Sequence, residues 1–287
     1  METLCIAATK GGVGKTTLCA NIGAFLADAG LKVLLLDLDI QPTLSSYFAL
    51  THRAPCGIYE LLAHNEQDLG RLVSETGIER LKIVFSNDGQ GQLNTMLLHA
   101  PDGRLRLHNL MHIFSPHFDA VLIDTQGSRS VMLEMAVLAS TLAVSPVTPE
   151  VLSARELSRG TLQLFKELSA YKSLGIQPPA LRLLINRMPS VSANARLVQE
   201  TLRALFQDES GARVLDAEIP AIEAFQRAAT YRLPAHHIEP RRPPGRIAPS
   251  ALEAIHRIAC ELFPQWRGRF GSVGRPSRKE KNHAKTE

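Results

Sequence analysis

Residues 9–17, Thr-Lys-Gly-Gly-Val-Gly-Lys-Thr-Thr, constrain this chain more than any other stretch. An apolar run at 4–8 enters the segment. Leu18, Ile22, Phe25 and Leu26 leave it at helical spacing, ending at Gly30. Glycines between a strand and a helix let backbone N–H groups converge on phosphate oxygens, and the helix N-terminus adds its dipole. Gly11, Gly12 and Gly14, with Val13 between them, supply that backbone cradle. Lys15 supplies charge for the β and γ phosphates, Thr16 a hydroxyl for Mg²⁺, and Thr17 a donor for an inner phosphate.

The rest of the chain alternates in the same manner. Apolar strands are expected at 32–37, 81–85, 120–124, 142–147, 181–185 and 214–219. Helices are expected near 58–63, 104–114, 131–139, 154–171, 193–206 and 251–263. Alternation of this kind predicts an α/β fold: a doubly wound, mostly parallel sheet with helices on both faces, of the P-loop NTPase type. Hydrophobic residues make up 45% of 287 residues and charged ones 21%, so a large core needs no disulfide or metal staple. Cys5, Cys19, Cys56 and Cys260 show no C-x-x-C pairing and read as free thiols. With no basic leader and no apolar run of membrane-spanning length, the expected location is cytoplasmic.

Net charge is +4, yet residues 267–287 hold seven Lys/Arg and two Glu, leaving the remainder near −1. We therefore expect a folded ATPase domain over 1–266 and a basic, disordered tail over 267–287. Residues 233–249, with five prolines, read as a loop.

Further carboxylates follow the loop. Asp37 and Asp39 stand at the carboxyl end of the second expected strand, where ligands bind in parallel sheets. Asp124 ends an apolar strand, as an acidic residue that holds Mg²⁺ through water does.

The usual phosphate-loop pattern is G-x-x-x-x-G-K-[ST], but its first glycine position is Thr9 here, and an additional lysine, Lys10, follows. On these residues the chain resembles the deviant Walker A family, K-G-G-x-G-K-[ST], that includes the ParA/Soj partition ATPases and MinD. The resemblance implies that Lys10 reaches the phosphates of a facing subunit in an ATP-dependent homodimer. A cation supplied in trans stabilises charge in the transition state. It further implies that Asp39 orients the attacking water and that Asp37 supports Mg²⁺ through water. Asn186, after "LRLLI", and Pro220, in "EIPAIEAF", would contact the adenine. Two motifs depart from the family: Asp37-Leu-Asp-Ile-Gln-Pro42 in place of D-x-D-P-Q, and Asp124-Thr-Gln-Gly127 in place of D-x-P-P. "DLDIQPTLSSYF" with "DTQG" resembles the branch carried on integrative conjugative elements.

The family resemblance implies ATP and Mg²⁺ as cofactors, nonspecific DNA as a partner, and a ParB-type protein that stimulates slow hydrolysis. Arg227, Arg232, Arg241, Arg242 and Arg246 are the candidate DNA contacts, giving a nucleoid-associated protein. Two alternatives remain at this point: a MinD-like membrane-surface positioning ATPase and an ATP-switched DNA-binding regulator without significant turnover. The first would need a terminal amphipathic helix. The stripe of Leu252, Ile255, Ile258, Leu262 and Phe263 has helical spacing but is not terminal, so no stable membrane association is expected.

Overall fold

A computed structural model describes residues 1–206 and 212–274; the part of the expected tail at 275–287 lies outside them. Among the described residues, nine strands form one sheet: β1 (Glu2–Ile6), β2 (Val33–Asp37), β3 (Leu50–His52), β4 (Ser74–Thr76), β5 (Leu81–Val84), β6 (Ala120–Asp124), β7 (Leu142–Val147), β8 (Ala180–Met188) and β9 (Ala212–Pro220). Their order is β3-β4-β5-β2-β6-β1-β7-β8-β9. Every pairing from β5 to β9 is parallel, and only the short β4 pairs antiparallel, with β3 and β5.

The central strands read as unbroken apolar runs because both faces are covered. Alternation then sorts their side chains between two cores. Leu4 and Ile6 of β1, Val33 and Leu35 of β2, and Leu122 of β6 pack on one face with helix α1 (Lys15–Asp28) and the helix Ala251–Leu262. Cys5, Leu34, Leu36, Val121 and Ile123 pack on the other with the helix Val131–Leu138. The stripe of Ile255, Ile258, Leu262 and Phe263 thus packs in the core beside Phe25, which explains its helical spacing without a membrane. Among the described residues, no helix is long and apolar enough to cross a membrane.

Three expectations are revised locally. The stretch 154–171 is an α-helix (Val151–Glu156), a π-helical turn (Leu157–Leu162) and a second α-helix (Gln163–Leu168), followed by 3₁₀ turns. Residues 233–249 contain a helical turn, Ala235–Ile238, with Ala235 and His236 buried. Ordered chain also continues past residue 266. Arg267–Phe270 is helical, and Phe270, 1% exposed, packs against Phe25. A buried aromatic side chain overrides the polar composition around it.

Candidate nucleotide site

The sheet order places the candidate residues together. β6 lies between β1 and β2, in a register that sets Ile6 beside Asp124 and Asp124 beside Asp37. The glycine loop leaves β1 at that carboxyl edge and enters α1 at Lys15. Gly12 (φ 73°) and Gly14 (φ 92°) take the left-handed backbone conformation that glycine alone adopts without strain. The next loop leans on this cradle: a Cβ on Gly127 would come within 2.5 Å of Gly11 Cα and 3.0 Å of Lys15 Nζ. Glycine at 127 is therefore a packing requirement of this loop conformation.

Asp124 is fully buried, and neither carboxylate oxygen has a hydrogen-bond partner among the described residues. Burial pushes its pKa up to about 7. The neighbouring Asp37 adds to the rise, while the Thr16 hydroxyl, close by but outside hydrogen-bond geometry, and the Lys15 ammonium oppose it. A buried carboxylate without partners is costly unless a cation or its hydration shell uses it. Together with the Thr16 hydroxyl, this donor set fits hydrated Mg²⁺. Lys15 is 7% exposed, and burial lowers its pKa against the pull of Asp124 and Asp39. Its ammonium donates weakly to the Lys10 carbonyl at 3.4 Å, so it faces the cradle with spare donors.

Asp37 and Asp39 differ in kind. Asp37 is buried; its Oδ2 accepts from Ser45 N (2.8 Å) and Ser45 Oγ (2.6 Å), and its Oδ1 from Asp39 N (3.3 Å). Burial lifts its pKa to about 6, against the lowering effect of the Ser45 bonds. Through these bonds Asp37 anchors the 38–45 turn. Asp39 is partly exposed, its Oδ1 accepting only from Gln41 N at 3.1 Å. Ser86 Oγ donates to its backbone carbonyl at 2.5 Å, fixing the segment without using the carboxylate.

Asn186 and Pro220 line one cavity of about 370 Å³ with Gly14, Thr17, Ile222 and Phe225, next to the phosphate loop. Asn186 has a further task there. Its Nδ2 donates to the Val13 carbonyl at 2.7 Å and its Oδ1 accepts from Arg187 N at 2.9 Å, so the amide braces the loop.

Lys10 is tied to its own chain. Its ammonium pairs with Glu156 at 2.9 Å and donates to Ser153 Oγ at 3.0 Å. Thr161, on the π-helical turn, accepts from Thr9 N at 3.3 Å. Sequence reasoning missed Ser153, Glu156 and Thr161, whose proximity to the loop comes from packing alone. It also missed Asn21. That side chain, fully buried on α1, donates to the Thr17 carbonyl (2.7 Å) and Tyr47 Oη (3.0 Å) and accepts from Ala235 N (2.6 Å).

The candidate arginines divide into two groups. Arg242 makes a forked pair with Glu253 at 3.1–3.2 Å. Arg246 pairs with Glu239 and donates to the carbonyls of Ala248 and Pro249. Both are built into the 233–249 segment. Arg227, Arg232 and Arg241 are exposed and have no carboxylate partner among the described residues.

A glycine loop between β1 and α1, a buried acid on the adjacent strand and a second lysine define a P-loop nucleotide-binding site of the deviant Walker A type. The family model described as "AAA domain" matches residues 1–174, and the chain belongs to that family, within the ParA/MinD superfamily. The virulence plasmid ParA family protein pGP5-D of Chlamydia psittaci is 33% identical over 55% of this chain; the chain spans about three-fifths of that relative, 61% of its length. The chromosome partitioning protein ParA of Myxococcus xanthus is 26% identical over 72% of each chain. Among solved structures, apo McdA of Cyanothece superposes with a TM-score of 0.72 at 21% identity, covering 83% of this chain and 93% of that one. A partition protein of Borrelia burgdorferi bound to AMPPNP gives 0.67 at 23% identity, covering 92% and 98%. At these identities the two structures share the fold with this chain.

Proposed function

We propose that this protein is a DNA partition ATPase of the ParA/Soj kind. Mg-ATP binds at the glycine loop, the loaded chain forms a sandwich homodimer on nonspecific DNA, and slow hydrolysis releases it, stimulated by a ParB-type partner. The observation that carries the reading is the clustering of Lys10, Lys15, Asp39 and unpartnered Asp124 around one glycine loop. Lys15 and the loop N–H groups hold the phosphates; Asn186 and Pro220 border the space for the base. Mg²⁺ beside Thr16 and Asp124 supplies charge neutralisation at the phosphates. Asp39, with the least occupied carboxylate, orients the attacking water. Lys10 leaves Glu156 and Ser153 to meet the partner's nucleotide. Arg227, Arg232 and Arg241 are the DNA contacts that need break no ion pair, and the expected location is on the nucleoid.

The test is binding of the purified protein to random-sequence DNA and to anionic liposomes, each with ATP, ADP or no nucleotide, over a salt series. ATP-dependent, salt-sensitive DNA binding without liposome binding is the expected result. ATP-dependent liposome binding without DNA binding would replace this reading with a MinD-like one. ATP-dependent DNA binding with no turnover would replace it with a switch.

A further inference from the structure

At the end of α1 far from the phosphate loop, three metal-ligating side chains converge. Asp28 is the last residue of α1, and the helical turn Ala235–Ile238 lays His236 and His237 against it. Both imidazoles direct Nε2 at one carboxylate oxygen: Asp28 Oδ2 lies 2.7 Å from His236 and 2.6 Å from His237. All three ligand atoms fall within 4.8 Å of one another. The His236 side chain is 1% exposed, Asp28 25% and His237 43%, so the cluster is closed on one side and open on the other. The nucleotide chemistry makes no use of it.

We propose that Asp28, His236 and His237 form a binding site for a divalent transition-metal ion of the zinc class. Two imidazole nitrogens and one carboxylate oxygen suit Zn²⁺, Co²⁺ or Ni²⁺, whereas Mg²⁺ prefers an all-oxygen shell. Donors about 2.0–2.1 Å from a tetrahedral ion stand about 3.3 Å apart. The donors therefore open by roughly half an ångström from their present hydrogen-bonded spacing. His237 and Asp28 are exposed enough to make that shift, while His236 is held edge-on to Phe25, ring centroids 5.6 Å apart. Three protein ligands leave a fourth position facing solvent on the His237 side, for water or a small anion.

The affinity is bounded by a second feature. His236 Nδ1 is buried without a hydrogen-bond partner among the described residues. When metal occupies Nε2, the ring proton sits on Nδ1, and no acceptor there fixes the tautomer. Sites braced by such an acceptor bind about 10–100-fold more tightly than those without one. The expected site is accordingly weaker than a structural zinc centre by that factor. Its consequence is mechanical. Asn21 and Asp28 lie two turns apart on α1, and Asn21 already accepts from Ala235 N at 2.6 Å. Metal would add a second tie between the nucleotide-binding helix and the arginine-bearing 233–249 segment.

The test uses full-length, untagged protein without nucleotide or Mg²⁺, titrated with Co²⁺ by visible absorption and with Zn²⁺ by thermal unfolding. One equivalent of Co²⁺ should bind with d–d bands, lack a thiolate charge-transfer band and withstand excess Mg²⁺. Zn²⁺ should raise Tm by a few degrees. His237→Ala and Asp28→Asn should each lose saturable binding while still binding ATP. His237 is exposed, so its variant keeps the test meaningful should Asp28→Asn unfold. Absence of saturable binding up to millimolar metal, or undiminished binding by His237→Ala, would overturn the proposal. So would a thiolate band, which would put the metal on Cys260, whose sulfur lies 3.9 Å from His256.

Discussion

The ammonium of Lys10 lies 2.9 Å from the Glu156 carboxylate, so the lysine that distinguishes this phosphate loop is held within its own subunit. A role across a dimer requires that bond to break. The pair is partly exposed and contributes about 0.2–1 kcal/mol. Two such pairs break per dimer, one in each subunit, so Glu156→Gln should tighten the ATP-dependent dimer by up to about 30-fold. Lys10→Ala should keep ATP binding and lose the dimer. Sedimentation velocity with ATP and ADP reads both, and a normal ATP dimer in Lys10→Ala would end the trans assignment.

Lys15 is buried beneath the loop with donors to spare. Charge-assisted bonds to phosphate contribute about 1.5–3 kcal/mol. Lys15→Ala should weaken ATP binding by roughly 10- to 150-fold in a fluorescent-nucleotide titration. Unchanged affinity would remove Lys15 from the site.

Asp39 keeps its carboxylate largely unengaged while Ser86 pins its backbone. Asp39→Ala should bind ATP and dimerise but turn over at background rate, leaving a long-lived complex on DNA. Phosphate release and gel mobility measure the two effects. Turnover at the wild-type rate would show that another group places the water.

The pH dependence of the nucleotide-free protein follows from Asp124 and Asp37, held up to about 7 and about 6. Raised carboxyl pKa values mean that the folded state binds more protons than the unfolded one between pH 4 and 7. Their contribution to stability is complete below about pH 4, where the unfolded carboxyls are also protonated, and is lost as pH rises through 6 to 7. Asp124→Asn should flatten the fall in Tm over that range. An equally steep fall in the variant would locate the linkage elsewhere.

The arginines should separate by salt dependence. Arg227→Ala, Arg232→Ala and Arg241→Ala should each reduce the slope of log K against log salt for DNA by about one. Arg242→Ala should leave the slope unchanged and lower Tm, because Arg242 is paired with Glu253, which caps the helix Ala251–Leu262. A reduced slope in Arg242→Ala alone would reverse the division.

The P-loop and the parallel core are legible from residue order alone. "GGVGKTT" needs only local backbone chemistry, and runs such as Ala120–Asp124 and Leu142–Val147 are buried on both faces, so they read as strands of the observed length. The three-residue β3 and β4 were not legible, since three residues are too few to show a periodicity. Nor were the helices Gln92–His99 and Ala224–Tyr231 identified.

Which polar groups meet is set by the folded arrangement. Asp37 and Asp39 are equivalent in sequence, yet Ser45 engages one and leaves the other half open. Lys10 finds Glu156 some 146 positions away, and Asp28 finds His236 across 208. Local patterning reports which face of an element is apolar. Which distant donor reaches an acceptor depends on strand order and helix packing, and these arise only once the whole sheet has formed.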